Sequence, residues 1–377
     1  MPPAASRLAA VAAFALLGTD CLFAAEPAGS GRATPTRPAQ IKPAASLAIT
    51  RIDGADYFEL EAAMARLGLK ARARDGRRFV FGDQNSRLVI DEGREVFVDG
   101  SRIFLGNPVV LRRGDLFISR IDFERCLTPL LAPQLVGSPP RAPKVIVLDP
   151  GHGGTDDGMS NPRLQMKEKI YTLDVALRLK KLLETKGCKV VLTRKDDREL
   201  DKDKITDLRK RSEIANRAAA DLFVSIHFNA LDRDTKTGGS EVYTFTRQFQ
   251  RSDESAGIGR RDDTEKEPAP VNRFDAWNTL LGHSIKRELL TGLKTMDRGQ
   301  KTMHSAVLRG LNCPGVLVES VFLSNDTEAK LVATPAYRQQ IAEAIAEGIR
   351  SYSQTLESVR PKPAAATASP AASSSPP

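Results

Sequence analysis

The chain has 377 residues, of which 41% are hydrophobic and 27% are charged, and its formal net charge is +9 at pH 7. This composition is typical of a globular protein and excludes a largely disordered chain or a multispanning membrane protein. The positive charge would suit nucleic acid, an anionic membrane or an acidic polymer, but no nucleic-acid-binding motif accompanies it. We therefore interpret most of the lysines and arginines as a solvated basic surface.

The N-terminus resembles an export signal. Arg7 precedes the apolar stretch 8–17, which is too short to span a bilayer, and small residues follow it. Asp20 stands before Cys21, where a lipidation site needs a small residue, so simple secretion is favoured over a lipoprotein. We expect residues 1–25 to be a signal peptide and the mature protein to be exported to the periplasm or outside the cell.

Composition divides the rest of the chain into two folded blocks between flexible segments. Residues 26–46 and 357–377 are rich in Pro, Ala and other small residues, so we expect a disordered linker and a disordered tail. A Pro-rich linker at 136–143 separates a small block at 47–135 from a larger block at 144–356.

Three cysteines follow the signal, namely Cys126, Cys188 and Cys313. Their odd number and lack of paired spacing predict neither a disulfide framework nor a cysteine zinc cluster. At least one of them must stay unpaired.

The small block has an α+β pattern. Residues 57–67 predict an amphipathic helix, and an Asp99-Gly100 turn lies among the short strands that follow it. These strands are predicted at 79–81, 87–90, 95–98 and 116–119. The order, with Ile52-Asp53-Gly54 early and 114–119 late, loosely resembles the small domain first named from the N-terminus of copper amine oxidases. No catalytic set accompanies it, so we interpret this block as a spacer or a binding module.

The large block alternates apolar strands with helices. Strands are predicted at 145–148, 190–193, 222–226, 241–245 and 315–318, and helices at 168–186, 205–219, 276–294 and 335–353. This alternation predicts an α/β fold, with an open, twisted, mostly parallel sheet flanked by helices.

Polar residues follow three of these strands. In open α/β sheets, ligands bind outside the carboxyl ends of the strands. The first strand runs into a glycine-rich turn that holds His152, the third ends at His227, and the last ends at Glu319. Glycines permit the tight turn that can place an imidazole over the strand end. These three side chains are therefore expected at one edge of the sheet.

Glu168 begins the first helix of the large block. The apolar residues Ile170, Leu173, Leu177 and Leu183 are expected to form the face that packs on the sheet. The start of the helix, and Glu168 with it, should then lie near the same strand ends.

Two histidines and one carboxylate, with a fourth position left for water, form the donor set of a catalytic zinc site. Glu319 would suit the role of general base, because a carboxylate near zinc-activated water can take its proton and pass it to a leaving amine. Each residue alone has an ordinary structural explanation, and Glu168 could simply be a favourable carboxylate at a helix N-terminus. The combination favours a site, whereas His283 and His304 are not expected to be catalytic.

Several segments resemble the zinc-dependent N-acetylmuramoyl-L-alanine amidases that hydrolyse peptidoglycan. The segments are 147–154, 225–230 and 318–325, supported by Arg211 with Ala215-Asn216, by Asp297-Arg298-Gly299 and by Val307-Leu308-Arg309. The resemblance implies that His152, Glu168 and His227 bind Zn²⁺ and that Glu319 is the catalytic glutamate. The scissile bond would join the lactyl group of N-acetylmuramic acid to L-alanine. Asn229 and Arg309 would contact the substrate.

The resemblance is incomplete at two places. Phe228 stands where a small residue is commoner, and Ser320-Val321 replaces the more usual small or Leu-Gly pair after the glutamate, which could alter substrate fit. Some members of the family carry an autoinhibitory helix where this chain has the charged stretch 247–275. Because prolines and glycines interrupt this stretch, a surface loop is the preferred interpretation.

Two alternative functions stay open. One is a zinc peptidase that cuts within the stem peptide, which the new termini in digested peptidoglycan would distinguish. The other is a cell-wall-binding protein with a vestigial site, against which the complete set of four residues argues. An activator or a wall component could bind through residues 47–135.

Overall fold

The computed structural model describes residues 46–75, 77–82, 87–231, 234–253 and 264–361. The predicted signal peptide, Cys21 and nearly all of the predicted linker and tail lie outside the described residues. In the described part of the chain, every helix is too short or too polar to span a bilayer.

The small block is built mainly from antiparallel strands. Its strands are β1 (Thr50–Ile52), β2 (Ala55–Glu59), β3 (Lys70–Asp75), β4 (Arg78–Gly82), β5 (Arg87–Ile90), β6 (Gly93–Val98), β7 (Ser101–Arg112) and β8 (Asp115–Ser119). Helix α1 (Leu60–Arg66) follows β2, and the short helices α2 (Arg120–Asp122) and α3 (Thr128–Leu131) follow β8. The predicted Asp99-Gly100 turn joins β6 to β7, and both of its residues have positive φ angles.

The large block alternates strands and helices as predicted. Its strands are β9 (Val145–Pro150), β10 (Ser160–Asn161), β11 (Met166–Lys167), β12 (Lys189–Leu192), β13 (Leu222–Asn229), β14 (Ser240–Phe245), β15 (Asp297–Met303) and β16 (Gly315–Phe322). Its helices are α4 (Glu168–Thr185), α5 (Lys204–Arg217), α6 (Asp275–Leu293), α7 (Ala306–Arg309), α8 (Asp326–Ala333) and α9 (Pro335–Val359).

One sheet runs through both blocks in the order β12-β9-β13-β16-β14-β15-β7-β6-β5-β4-β3. The first four strands are parallel, β14 is antiparallel to β16, and β15 is parallel to β14. Helices α4, α6 and α9 cover one face of the large block, and α5 and α7 cover the other. The predicted fold class, a mostly parallel open sheet flanked by helices, is confirmed.

Burial on both faces explains why the strands are apolar throughout. In β9, Ile146 and Leu148 join the core under α4 and α9, whereas Val147 joins the core under α5. The small block has a separate apolar core. Our division of the chain into two domains stays a prediction, since the sheet is continuous between the blocks.

Three predicted details are wrong. Residues 57–59 belong to β2, because Tyr57 and Phe58 pair with β8 and the Glu59 carboxylate caps α1. In α4, Ile170 and Leu177 are exposed, and the buried face consists of Glu168, Lys169, Thr172, Val175, Ala176, Leu179 and Leu183. Strands β13 and β16 also continue beyond His227 and Glu319, so these two residues lie inside the strands.

The described cysteines, Cys126, Cys188 and Cys313, are all buried, and none of these three is in a disulfide.

Candidate metal centre

The two histidines and the glutamate predicted as ligands lie together. One ligand atom from each of His152, Glu168 and His227 falls within 4.8 Å of the other two. His152 Nε2 lies 3.0 Å from Glu168 Oε2, and His227 Nδ1 lies 2.9 Å from Glu168 Oε1. The two imidazole rings are nearly perpendicular, with centroids 4.9 Å apart. Two imidazoles and one carboxylate in this arrangement fit a zinc ion that keeps a position for water.

His152 lies in the left-handed region of backbone conformation, with φ 63°. Its Nδ1 atom lies 2.8 Å from Asp156 Oδ2, and Lys204 pairs with the same carboxylate. A proton on Nδ1 that is donated to Asp156 leaves the Nε2 lone pair directed at Glu168 and available to a metal. Asp156 therefore orients the ring.

Two buried arginines hold the loop that carries His152. The Arg194 guanidinium donates to the carbonyl oxygens of Pro150 at 3.0 Å and Gly151 at 2.9 Å. Arg211 donates to the carbonyl oxygens of Pro150 and His152, both at 3.1 Å. Buried carbonyl groups need donors, so these two side chains fix the path of the loop.

Asp149 balances the charge of Arg211 beneath the loop. Its Oδ1 atom lies 2.9 Å from Arg211 Nη1, and its carboxylate accepts hydrogen bonds from the hydroxyls of Thr193 at 2.6 Å and Ser225 at 2.7 Å. Although burial opposes ionisation, Arg211 and the two hydroxyls lower the pKa of Asp149. The pair can stay buried because both charges have partners.

Glu168 is the first residue of α4 and is only 1% exposed. Its two oxygens accept hydrogen bonds from the backbone N–H groups of Met159 at 2.8 Å and Phe228 at 3.0 Å. Although burial opposes ionisation, the hydrogen bonds with His152 and His227 lower the pKa of Glu168. These contacts suit a carboxylate that stays ionised as a metal ligand.

The surroundings of Glu319 disfavour its charge, unlike those of Glu168. Glu319 lies beside His227 across the parallel pair of β13 and β16, and it faces Glu241 across the antiparallel pair of β14 and β16. Among the described residues, its Oε2 atom has no hydrogen-bond partner. Burial, together with the charges of Glu168 and Glu241, raises the pKa of Glu319. A carboxyl group that is more readily protonated than usual suits a role in proton transfer.

The two predicted substrate-binding residues both contact carboxylates. The side-chain amide of Asn229 donates to Glu241, and its Oδ1 atom accepts from the N–H of Ala230 at 2.7 Å. Arg309 Nη1 lies 2.5 Å from Glu265 Oε2. Substrate binding by Asn229 and Arg309 stays a prediction.

Glu265 belongs to the charged stretch 247–275, of which residues 254–263 lie outside the described residues. The described part includes the 3₁₀ turn Pro270–Phe274 and an isolated bridge between Arg251 and Thr264. Glu265 connects this stretch to Arg309.

Neither other histidine joins the metal centre. His283 is buried in α6, and His304 lies after β15, where its Nε2 atom is 3.7 Å from Glu265 Oε2.

Sequence reasoning missed four supporting residues, Asp149, Asp156, Arg194 and Glu241, although some carried a signal. Arg194 comes directly after the predicted strand 190–193, so the strand-end rule that selected His227 would also have selected it. Asp156 lies four residues after His152 in a glycine-rich turn. No comparable signal points to Glu241, because its position depends on the antiparallel pairing of β14 with β16.

A family model described as N-acetylmuramoyl-L-alanine amidase matches residues 146–351, more than half of the chain. The chain belongs to this family. The match falls within the large block, which we call the amidase block from here on, and it includes all three candidate ligands and Glu319.

Curated relatives bear similar names. The germination-specific N-acetylmuramoyl-L-alanine amidase of Bacillus subtilis is 32% identical over 222 residues, which cover 56% of this chain and 81% of the relative. N-acetylmuramoyl-L-alanine amidase AmiA of Escherichia coli is 32% identical over 227 residues, which cover 55% of this chain and 76% of the relative.

Solved amidase structures also align with about half of this chain. The CwlD amidase from Clostridioides difficile, in complex with the GerS lipoprotein, is 32% identical with a TM-score of 0.45, covering 55% of this chain and 98% of that chain. Amidase AmiC2 of Nostoc punctiforme is 29% identical with a TM-score of 0.45, covering 56% of this chain and 97% of that chain.

Proposed function

We propose that this amidase hydrolyses the bond between N-acetylmuramic acid and L-alanine in peptidoglycan, with Zn²⁺ held by His152, Glu168 and His227. Family membership supports the reaction. The observation that carries the metal assignment is the convergence of three donor atoms within 4.8 Å. Glu319, on the strand next to His227, would be the general base.

When bound, zinc lowers the pKa of a water molecule to about 7 and polarises an amide carbonyl. The Oε2 atom of Glu319 accepts a proton from the attacking water. As the C–N bond breaks, the same carboxyl group gives this proton to the leaving nitrogen. The second water proton leaves the new lactyl carboxylic acid and ends on the amino group of L-alanine. The products are therefore a lactyl carboxylate on the sugar and an ammonium group on L-alanine, so atoms and protons balance.

The residues around the ligands support their roles. Asp156 orients the His152 ring. The hydrogen bonds donated by Arg194 and Arg211 fix the loop that carries His152 before metal binds. Such preorganisation is expected of a catalytic centre, because misplaced ligands lower both metal affinity and rate. It also argues against a vestigial site in a wall-binding protein.

Product analysis of digested peptidoglycan tests the reaction. We expect mass spectrometry to show new amino termini on L-alanine and loss of the muramoyl-alanine linkage. New termini only within the stem peptide would identify a peptidase instead.

A Glu319→Gln variant tests the base. We expect its turnover to fall at least about 100-fold while zinc content stays at the wild-type level, since general-base catalysis typically contributes 10²–10⁴-fold. Glu184→Gln is the matched control, because Glu184 is exposed on α4 and pairs with Lys180 in the same helix. Full activity of Glu319→Gln, or activity that survives removal of metal by a chelator, would reject the mechanism.

We further propose that the protein works outside the cytoplasm, because its N-terminus resembles an export signal and its family acts on the cell wall. Fractionation of cells that produce the full chain, followed by mass spectrometry of the mature N-terminus, tests the predicted removal of residues 1–25.

A further inference from the structure

The small block and the amidase block contact each other through paired strands and buried polar side chains. Strand β7 pairs in parallel with β15 through Ile103 and Gln300. Lys286 on α6, whose side chain is fully buried, lies 2.9 Å from Asp297 Oδ1 and donates to the carbonyl oxygen of Arg102. Asp297 also accepts a hydrogen bond from the N–H of Arg102 at 2.7 Å. A buried cation with these partners fixes the position of β7 against the amidase block.

Each block also has a glycine at the point where the other block inserts a side chain. A Cβ atom added to Gly299 would lie 2.5 Å from the ring of Phe104, and one added to Gly106 would lie 2.1 Å from the side chain of Gln250. Both distances are shorter than real Cβ contacts, so a larger residue at either glycine would displace the side chain that the other block inserts. The two surfaces of the interface are therefore complementary and closely packed, as in a protein core.

Phe104 connects this interface to the catalytic site. Lys301 Nζ lies 5.7 Å from the centre of the Phe104 ring, within the range of a cation–π contact. The same Nζ atom lies 2.5 Å from Glu241 Oε2. The small block thus contacts the cation that pairs with the neighbour of Glu319.

Lys301 makes the shorter of two ion pairs with Glu241, since Arg298 Nε lies 3.7 Å from the same Oε2 atom. The Glu241 side chain is only 2% exposed, and it lies opposite Glu319 across paired strands. Lys301, the Tyr243 hydroxyl at 2.8 Å and the Asn229 amide all engage its oxygens. A buried carboxylate without such partners would be costly and would compete with Glu319 for any nearby proton donor.

We propose that Phe104 and Lys301 are positioning residues for the amidase reaction. Phe104 keeps Lys301 on Glu241, and Glu241 so held leaves the Oε2 atom of Glu319 free for water. The small block is then part of the catalytic unit. This inference rests on the proposed role of Glu319.

Steady-state kinetics of full-chain variants on a soluble muropeptide test the proposal, because a small fragment does not depend on a separate wall-binding surface. Phe104→Ala should lower kcat about ten-fold with little change in KM, as expected when a catalytic group is misplaced. Phe97→Ala is the matched control with unchanged kcat, since the Phe97 ring contacts Arg102 within the small block at 5.8 Å.

Substitutions of Lys301 provide a second test if Phe104→Ala does not fold, which thermal unfolding would reveal. Lys301→Met should lower kcat by about 100-fold, and Lys301→Arg, which keeps the charge, should recover most of that loss. Equal losses in the two Lys301 variants would contradict the proposal.

The remaining outcomes separate this inference from the proposed function. If Phe104→Ala matches Phe97→Ala on the muropeptide and loses activity only on intact peptidoglycan through KM, the small block is a wall-binding module and the inference is wrong. Inactive wild-type protein, or an active Glu319→Gln variant, would instead reject the proposed function.

Discussion

Replacing Arg194 with leucine tests how firmly the His152 loop must be held. The Arg194 side chain is almost fully buried, and its guanidinium donates to Pro150, Gly151, Lys169, Thr172 and Asp196 at 2.7–3.0 Å. Leucine removes all of these donors at once. The loop should become less stable, and His152 less well placed for metal.

The expected loss of stability depends on which acceptors of Arg194 keep a hydrogen bond from another donor. The Pro150 carbonyl still accepts from Arg211, and the Gly151 carbonyl still accepts from the Thr172 hydroxyl. A hydrogen bond from a charged donor contributes about 1.5–3 kcal/mol. Because some acceptors keep another donor, the stability lost should be closer to that of two such bonds than of five. Removing a buried cation offsets part of it. We expect the free energy of unfolding to fall by about 2–4 kcal/mol.

Urea unfolding of the metal-free protein and zinc titration against a competing chelator measure the two effects. We expect zinc affinity to fall about 10–100-fold, the usual effect of losing support around a ligand. Arg198→Leu is the control, because Arg198 is 56% exposed and should change stability by no more than about 0.5 kcal/mol. The reasoning is refuted if Arg194→Leu equals this control in both measurements.

Two further predictions concern Gly151 and His283. Gly151→Ala places a Cβ atom 2.2 Å from the His227 ring and should abolish zinc binding in a metal titration. Gly292→Ala, whose Cβ atom meets only Ala344 at 3.6 Å, should instead stabilise α6 by about 0.5–1 kcal/mol with full activity. Burial, with smaller effects of neighbouring cations, lowers the pKa of His283 to about 3, so the unfolded chain binds a proton that the folded chain excludes as pH falls below about 6.5. Between pH 6.5 and 5, this proton binding should lower the free energy of unfolding by about 1.5 kcal/mol. His283→Gln should abolish that loss, whereas His304→Gln should retain it. If the free energy of unfolding depends on pH equally in both variants, the reasoning is contradicted.

The central strands of the sheet could be predicted because burial on both faces requires apolar residues throughout. Strand β15 could not, since its sequence is largely polar. Its Asp297 and Lys301 are satisfied by Arg102 of the small block and by Lys286 and Glu241 of the amidase block, and Arg102 and Glu241 are distant in sequence. Polar contacts within and between the blocks therefore stabilise a strand that has no hydrophobic pattern.

The candidate ligands could be placed by two kinds of reasoning. The strand-end rule located His152, His227 and Glu319, while Glu168 was placed by the predicted packing of its helix and depended more on family resemblance. The helix face predicted for α4 was wrong at Ile170 and Leu177, which are exposed, whereas Leu183 is buried as predicted. The buried face of the helix begins at Glu168 itself, so the helix packs this carboxylate against the sheet.

Two glutamates of the same site acquire different chemistry from their surroundings. Glu168 receives two backbone N–H groups and two imidazoles, which stabilise its charge and suit it to hold a cation. Among the residues that the structure describes, one oxygen of Glu319 has no hydrogen-bond partner, and Glu319 lies beside a second acid, Glu241, which suits it to exchange a proton. Environments that separate the pKa values of paired carboxyl groups are a common basis for assigning acid and base roles. Glu241, the acid beside Glu319, pairs with Lys301, and Lys301 contacts Phe104 of the small block. The proposed roles of Glu168 and Glu319 therefore also depend on the interface with that block.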